Sequence, residues 1–395
     1  IRRPSSNCAF LGELGLDGGI RPISGVLPMS LAAKEQGIRY LFVPAENAAE
    51  ATLSRGPMVI PVSTVRELAD GLNGLKELPE QPIWVPEPEN TPEPDFRDVL
   101  GQENVKRALE VAAAGSHNVL LIGPPGSGKS MLSKRLPSIL PDMTWAESLE
   151  VSQIYSVMGL LPPEHPLITA RPFRSPHHTI TDVALVGGGS NPQPGEISLA
   201  HNGVLFLDEL PEYKRTALEV MRQPLEDGKV TISRVSGAVT YPSEFMLVCA
   251  MNPCPCGYGL EDGICRCTYH EKKRYLKKLS GPILDRFDMV LCLSKKEADT
   301  QKIQKESQET SHQIKERIET TIQREKKLLK NYQCSDTSHL SHIQLNKLLH
   351  LSKECKEILD IAYRSGKITR RGMDKILKVA LTIMLMENES EIKPI

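Results

Sequence analysis

The feature that most constrains the fold is a stretch of eight residues in the pattern G-x-x-x-x-G-K-[ST]. An apolar run at residues 118–122 predicts a buried strand before it, and residues 130–136 predict a helix after it. That context is typical of a P-loop, in which glycines let backbone N–H groups turn toward phosphate oxygens. We expect Lys129 to contact the β- and γ-phosphates of ATP and Ser130 to ligate Mg²⁺. The predicted nucleotide-binding stretch is Gly123, Pro124, Pro125, Gly126, Ser127, Gly128, Lys129 and Ser130.

Two carboxylates follow a second predicted buried strand, at residues 204–207. Because ligands of open parallel sheets bind at the carboxyl ends of the strands, we expect Asp208 and Glu209 beside the P-loop. Asp208 is predicted to hold Mg²⁺, and Glu209 to polarise the attacking water as a general base. A third buried run precedes Asn252, whose amide could orient that water. An Asp-Glu pair after a strand is commonly a helix cap, but the upstream P-loop favours the catalytic interpretation.

Arg286 lies within residues 281–288, which predict a short helix at the end of the sheet region. An arginine near a subunit surface could reach the γ-phosphate bound by a neighbouring subunit, and phosphoryl transfer gains greatly from such a cation. An ion pair inside the chain, with Asp285 or Asp288, explains the same residues. The spacing alone does not separate these two interpretations.

The composition is that of a soluble globular protein, with 40% hydrophobic and 25% charged residues. No run approaches the roughly 20 apolar residues of a membrane span, and a formal net charge of -1 creates no global field for nucleic acid or membranes. The nine cysteines are an odd count, which argues against a disulfide framework and favours a reducing cytoplasm. The chain starts at Ile1 without a signal peptide, so we expect its natural N-terminus to lie upstream.

Four regions follow from the pattern along the chain. Residues 1–78 mix short apolar runs with helical stretches and predict a small α/β unit, and residues 79–95 are rich in proline and predict an extended linker or an ordered wrap on a neighbouring surface. Residues 96–290 alternate strands and helices, which predicts a parallel sheet covered by helices. Residues 291–395 predict a helical bundle, whose polar stretch at 299–331 fits a long solvated helix or partial disorder.

The order of the P-loop, Asp208-Glu209, Asn252, Arg286 and a helical region resembles that of an AAA+ ATPase. More narrowly, the chain resembles the magnesium-chelatase-like ComM/YifB family. The stretches that carry this resemblance are residues 25–28, 42–50, 112–118, 171–178, 194–203, 252–257 and 280–288. The resemblance implies an α/β fold: a P-loop AAA+ parallel-sheet core with a C-terminal helical lid at 291–395, preceded by part of a ribosomal-S5/Lon-like α/β domain at 1–78.

The resemblance also implies a function. Members of the family are expected to form ring hexamers, and ComM-type members are described as DNA helicases that promote branch migration during natural transformation. Residues 229–241 would form a hairpin that faces the pore, with Lys229 and Arg234 toward DNA, and residues 153–196 would contain a helix-2 insert. Arg286 would be the arginine finger that acts on the neighbouring subunit, and Arg371, before a helix at 373–385, the sensor-2 arginine.

The C-terminal region departs from the family pattern at several positions. Leu381 and Lys375 stand where the family usually has arginines, and residues 384–386 replace an acidic-apolar motif. The lid is therefore expected to be divergent, with Arg371 retained.

Four of the cysteines form two C-x-C pairs, Cys254 with Cys256 and Cys265 with Cys267. Four thiolates could surround a tetrahedral structural Zn²⁺, which would have no open position for catalysis. The spacing within each pair is tighter than the usual C-x₂-C, and reduced buried thiols or a redox pair fit the same residues.

Basic residues at 272–274 and 277–278, together with Arg171 and Arg174, could meet DNA phosphates. For the lysines, a solvated helix face is the simpler interpretation. His177 and His178 are assigned no role.

The predicted function is an AAA+ ATPase that couples hydrolysis to DNA remodelling. The alternative is a chelatase-like chaperone that remodels a protein partner. A Lon-like protease ranks last, because no catalytic Ser–Lys pair can be identified. Stimulation of ATP turnover by DNA would separate the first function from the other two.

Overall fold

The computed structural model describes residues 6–86, 94–234, 237–260, 264–293, 308–332, 334, 336–349, 351–366 and 368–393. Among the helices in these ranges, none combines the length and the apolar character needed to cross a bilayer.

The N-terminal region is a small α/β unit, as the sequence predicts. A parallel sheet in the order β1-β4-β5 pairs Cys8 with Tyr40 and Tyr40 with Met58. Val26, Leu41 and Val59 pack between this sheet and its helices. The elements are β1 (Cys8–Phe10), β2 (Glu13–Leu14), β3 (Ile20–Arg21), α1 (Val26–Glu35), β4 (Tyr40–Pro44), α2 (Ala48–Thr52), β5 (Met58–Val62) and α3 (Val65–Leu72).

The segment after α3 joins this unit to the next one. Trp84 donates its backbone N–H to Thr52 at 3.0 Å and its indole N–H to the carbonyl of Glu164 at 3.2 Å. Residues 79–86 therefore include an ordered stretch that lies against both neighbouring surfaces, which matches the second of the two interpretations of this segment. Pro88 and Pro92, part of the predicted linker, lie outside the described residues.

The middle region alternates helices and strands. Its elements are α4 (Glu103–Ala114), β6 (Val119–Ile122), α5 (Lys129–Arg135), α6 (Trp145–Val157), β7 (Phe173–Arg174), α7 (Asp182–Val186), β8 (Gly187–Gly188), β9 (Gln193–Pro194), α8 (Glu196–Leu199), β10 (Val204–Leu207), α9 (Arg215–Val220), α10 (Arg222–Asp227), β11 (Lys229–Arg234), β12 (Gly237–Pro242), β13 (Met246–Met251), α11 (Tyr269–Leu276), α12 (Gly281–Leu284) and β14 (Met289–Cys292).

Five of these strands form a parallel sheet in the order β14-β6-β13-β10-β7. The strands read as continuous apolar runs because helices cover both faces of the sheet. The register pairs Met251 with Ile122 and Leu207 with Cys249, so strands β6, β13 and β10 end at the same edge. This sheet confirms the predicted α/β fold with a P-loop core, and its carboxyl edge brings together segments that are far apart in the chain.

Strands β11 and β12 form an antiparallel hairpin that pairs Lys229 with Pro242 and Arg234 with Gly237. The hairpin expected at residues 229–241 is therefore present, although Val235 and Ser236, which separate its two strands in the chain, lie outside the described residues. Val230 and Ile232 bury one side of β11, whereas Lys229 and Arg234 are exposed.

The C-terminal region is helical, as predicted, with α13 (Ser311–Leu329), α14 (His342–Leu348), α15 (Lys353–Arg364) and α16 (Arg370–Met386). Helix α13 falls within the polar stretch that fits either a solvated helix or disorder. It is a long helix, but Ile314 and Ile318 bury one face against the core. Two of the positions that depart from the family pattern, Leu381 and Leu385, are buried in a separate cluster of leucines in this region. Helix α16 also begins three residues earlier than the predicted helix at 373–385.

Candidate nucleotide-binding and hydrolysis site

The P-loop connects the end of β6 to the start of α5. Gly126 and Gly128 have φ angles of 77° and 90°, in the left-handed region that favours glycine. Gly123 is needed for a different reason: a Cβ atom there would lie 2.8 Å from Oγ of Ser127 and 2.9 Å from Cβ of Leu293. The loop can therefore curl tightly only with glycines at these positions.

Lys129 is the buried cation of the loop. Its ammonium group donates hydrogen bonds to the carbonyls of Gly123 at 2.6 Å and Pro124 at 2.9 Å, and lies 3.4 Å from Oδ1 of Asn252. Burial lowers the pKa of Lys129, and the nearby charge of Asp208 opposes this effect. The P-loop lysine and the predicted water-orienting amide thus meet, although Asn252 follows β13 and Lys129 begins α5.

The hydroxyl of Ser130 donates a hydrogen bond to Oδ2 of Asp208 at 2.7 Å. A carboxylate and a hydroxyl are hard oxygen donors of the kind that Mg²⁺ prefers. Ser130 lies in the first turn of α5 and Asp208 follows β10, and the structure brings them to hydrogen-bonding distance. The donor set fits the predicted magnesium site.

Glu209 follows β10 in a left-handed backbone conformation, with φ 52°. Its backbone N–H donates to Oδ1 of Asp208 at 2.9 Å, and its carboxylate is exposed. A carboxylate oxygen of Glu209 lies 3.4 Å from Nδ1 of His178. The sequence assigns no role to His178. Because it lies far from Glu209 along the chain, no local spacing predicts this contact.

The segment that carries His178 is itself fixed. The rings of His177 and His178 lie with their centroids 4.1 Å apart, and the ring of His178 meets Tyr213 edge-on. The hydroxyl of Tyr213 donates to the carbonyl of Pro176, and burial raises the pKa of this tyrosine. His178 is thus held beside Glu209 by a packed aromatic neighbour.

Arg286 follows helix α12, and its guanidinium forms an ion pair with the carboxylate of Glu226 at the end of α10. The intrachain pair considered from the sequence, with Asp285 or Asp288, is therefore not the one formed. Asp288 instead accepts the backbone N–H of Asn118 at 3.0 Å. Among the described residues, the buried Nε of Arg286 has no hydrogen-bond partner.

The backbone around Arg286 is attached to the C-terminal region. The ammonium of Lys375 in α16 donates to the carbonyl of Asp285 and, at 2.8 Å, to that of Phe287. Burial lowers the pKa of Lys375, with Asp288 acting in the opposite direction. Lys375, which stands where the family usually has an arginine, thus links the C-terminal helical region to the segment that carries Arg286. Arg371, one turn earlier in α16, is exposed.

The comparison with protein families agrees with this geometry. The family "Magnesium chelatase, subunit ChlI" matches residues 95–302, and its C-terminal domain matches residues 308–395. The chain belongs to this magnesium-chelatase-like AAA+ family. A further match, to "Subunit ChlI of Mg-chelatase", covers residues 2–47. Membership of this family indicates that the chain is an ATPase and that, like other AAA+ proteins, it forms oligomers.

Individual relatives assign this AAA+ chain to the ComM/YifB branch and confirm the resemblance. Competence protein ComM of Haemophilus influenzae is 38% identical and covers 97% of this chain and 75% of its own length. The uncharacterised protein YifB of Salmonella typhimurium is 39% identical and covers 97% of this chain and 74% of its own length. An uncharacterised protein of Mycobacterium tuberculosis is 41% identical and covers 95% of this chain and 74% of its own length.

The predicted cysteine cluster is assembled in the AAA+ core. The sulfur atoms of Cys254, Cys256, Cys265 and Cys267 all lie within 4.8 Å of one another, and all four thiols are free. The cluster has the composition and proximity to hold a metal ion. It begins two residues after Asn252.

Two of the basic side chains considered for contacts with DNA form hydrogen bonds within the chain instead. Arg171 donates to the carbonyls of Pro141 and Asn202, and Arg174 forms two hydrogen bonds with Glu196. The basic residues of α11 are largely exposed. Among the basic residues considered for DNA, those of α11 and of the hairpin are therefore the exposed ones, although Arg234 also donates to the carbonyl of Gly189 at 3.1 Å.

Proposed function

We propose that the chain is an ATPase subunit of a hexameric ring that couples hydrolysis of ATP to remodelling of DNA. The observation that carries the ATPase part is the hydrogen bond of 2.7 Å between Ser130 and Asp208. It joins the two side chains predicted to hold Mg²⁺, at the sheet edge where Lys129 and Asn252 also meet. Bound Mg²⁺ would neutralise charge on the β- and γ-phosphates.

The residues at this edge support hydrolysis to ADP and phosphate. Glu209 takes a proton from the attacking water, Asn252 orients that water, and Lys129 stabilises charge on the phosphoryl group as the bond to the leaving oxygen breaks. Lys129 is already desolvated, so its charge acts with little screening. Arg371 contributes as the sensor-2 arginine of the lid.

Arg286 is proposed to act on the nucleotide of the next subunit in the ring. Its position after a short helix at the end of the sheet, with a partner that is a half-exposed carboxylate, supports this role. A γ-phosphate could replace Glu226 as the partner, because it carries more negative charge than a single carboxylate and Glu226 is half-exposed. An arginine supplied in this way is worth about 10³–10⁵ in turnover.

DNA is the proposed substrate of the motor. The support is the hairpin of β11 and β12, which exposes Lys229 and Arg234 on a short two-stranded ribbon. Phosphate contacts from lysine and arginine supply affinity that does not depend on sequence, as a moving motor requires. One relative is named a competence protein, and on that ground we propose branch migration during recombination or natural transformation. The nine free cysteines suit a reducing compartment, and we propose the cytoplasm.

A chelatase-like chaperone that remodels a protein partner is the second candidate. The family description, magnesium chelatase, is the observation that favours it. In that case the same ATPase site would respond to a protein, and the hairpin would contact polypeptide.

The deciding experiment is steady-state ATP turnover of the protein with no DNA, with single-stranded DNA and with a four-way junction. We expect turnover to rise several-fold with DNA, Lys129→Ala to abolish it, and Glu209→Gln to bind ATP without hydrolysing it. Normal turnover in Lys129→Ala would overturn the site assignment. If no DNA changed the rate of turnover, the ATPase assignment would stand, but the DNA-remodelling function would be rejected in favour of the chaperone function.

The hairpin is tested with a matched pair of variants. Lys229→Ala removes one exposed charge from the hairpin and should weaken DNA stimulation while basal turnover is retained. Arg66→Ala removes an exposed positive charge from α3 in the N-terminal unit and should leave DNA stimulation unchanged. An equal response of both variants would show that bulk charge, and not the hairpin, carries the effect.

A further inference from the structure

The four cysteines of the C-x-C pairs lie at distances that suit a single metal ion. The sulfur of Cys265 is 3.8 Å from the sulfurs of both Cys254 and Cys256, and the latter two are 3.3 Å apart. Four sulfurs at about 2.3 Å from a central Zn²⁺ in a tetrahedron are separated by about 3.8 Å. Two of these three separations already match the tetrahedron, and all four sulfurs lie within 4.8 Å of one another, so small shifts of the side chains would enclose the ion.

The surroundings of the sulfurs resemble those of a closed thiolate site. The backbone N–H groups of Tyr258 and Arg266 lie near the sulfur of Cys256, and the ammonium of Lys272 lies near that of Cys265. Donors of this kind stabilise negative charge on ligating sulfur. Four thiolates around one Zn²⁺ carry a net charge of about -2, which the lysine partly offsets.

The cluster also packs against the nucleotide site. Gly257 has a φ angle of 87°, and a Cβ atom there would lie 2.7 Å from Cδ of Pro125 in the P-loop. The N–H of Gly257 donates to the carbonyl of Cys254 at 2.9 Å and closes a turn, and the hydroxyl of Tyr275 lies near the backbone of Asn252. The segment from Asn252 to Gly257 is thus short, tightly turned and in contact with the P-loop.

We propose that Cys254, Cys256, Cys265 and Cys267 bind one structural Zn²⁺, and that this ion fixes the segment carrying Asn252 against the P-loop. Zinc is the choice because soft thiolates select it among divalent ions available in a cell, and four protein ligands leave no position for a substrate. Binding displaces the protons of the thiols and changes no oxidation state. The effect of this positioning on hydrolysis rests on the proposed ATPase function. The metal content and the order of the segment can both be measured without ATP.

The first test is the metal content of the protein purified without chelator, measured by inductively coupled plasma mass spectrometry. We expect one zinc ion per chain, released when an organomercurial reagent modifies the thiols. Cys265→Ser should lose the ion. Cys292→Ser, which removes an exposed thiol at the end of β14, should keep it. Protein that contains no zinc with its thiols reduced, or intact mass that reveals disulfides in the cluster, would overturn the proposal.

The second test is hydrogen exchange of residues 252–258 in the loaded protein and in Cys265→Ser, both without nucleotide. Loss of the ion should speed exchange there by about tenfold or more, while the strands of the sheet keep their protection. Unchanged exchange in this segment would overturn the positioning role. Because neither measurement uses ATP turnover or DNA, failure here is distinct from failure of the proposed motor function.

Discussion

The guanidinium of Arg286 forms an ion pair with Glu226, a residue that lies 60 positions earlier in the chain. Glu226 belongs to α10, which leads directly into the hairpin proposed to contact DNA. The proposed arginine finger and the proposed DNA element are therefore joined through one side-chain contact and one short helix. A movement of the hairpin that withdraws Glu226 would release Arg286 toward a neighbouring subunit.

Mixing two inactive variants tests whether Arg286 acts across subunits. Arg286→Ala should lower ATP turnover about 10³-fold, since the transferring phosphate loses a cation. Lys129→Ala should be inactive because its own P-loop fails, yet it still carries an intact Arg286. Mixed rings should therefore recover part of the turnover, measured as phosphate release against the ratio of the two proteins.

Two further results bear on the same prediction. Glu226→Gln should keep turnover within about threefold, since the amide oxygen still accepts a hydrogen bond from the guanidinium and Glu226 itself is half-exposed. A mixture that stays as inactive as its components would assign Arg286 to its own chain.

Replacing His178 should change how Glu209 is held. His178→Ala removes the group 3.4 Å from the Glu209 carboxylate. We expect basal ATP turnover to rise about two- to fivefold and the relative stimulation by DNA to shrink, because a freed carboxylate reaches the water position more often. His177→Ala is the control, since His177 bonds to Thr179 instead. Equal effects of the two variants would indicate a general loosening of the segment.

Lys375 is expected to couple the lid to the Arg286 segment. Lys375→Met keeps the length of the side chain but removes the hydrogen bonds to the carbonyls of Asp285 and Phe287. Leaving the part-buried carbonyl of Phe287 without a partner costs about 1–3 kcal/mol, so the apparent melting temperature should fall. Turnover in the ring should fall as well, whereas Lys375→Arg should retain both. A stable Lys375→Met protein with full turnover would contradict the coupling.

Stability should depend on pH through Glu325 in α13. Burial, reinforced by Asp336, raises the pKa of Glu325 to about 7. A carboxyl whose pKa is higher in the folded state stabilises the fold most while it stays protonated there. Its contribution therefore falls as the pH rises from about 4.5 to about 7, by about 2–3 kcal/mol at most.

The measurement is the apparent melting temperature at pH 5.5 and at pH 8. The wild-type protein should melt lower at pH 8, and Glu325→Gln should reduce this difference. Glu316→Gln, on the exposed side of the same helix, should leave the difference unchanged. A pH dependence that is the same in all three proteins would assign it to other groups.

Several parts of the site could be predicted because they are local in the chain. The P-loop is eight contiguous residues between a strand and a helix, and its glycines are required by the backbone of that same loop. Asp208, Glu209 and Asn252 each follow an apolar run directly. Parallel strands end at a common edge, so the position of these residues near the P-loop followed from the strand pattern and general topology.

The residue pattern by itself determined the α/β fold, the P-loop motif and the grouping of cysteines, since each depends on neighbouring residues, whereas the hairpin was expected from the family resemblance. Only the tertiary structure decided the partners: Glu226 for Arg286, His178 for Glu209, and Lys375 for the carbonyls around Arg286. The sheet order β14-β6-β13-β10-β7 differs from the order along the chain, so strand ends that are distant in sequence meet at one edge. Lys375 and Asp285, 90 residues apart, meet for a second reason: helix α16 packs against α4 of the core. Contacts of that kind arise from packing of whole elements, and no local spacing in the sequence encodes them.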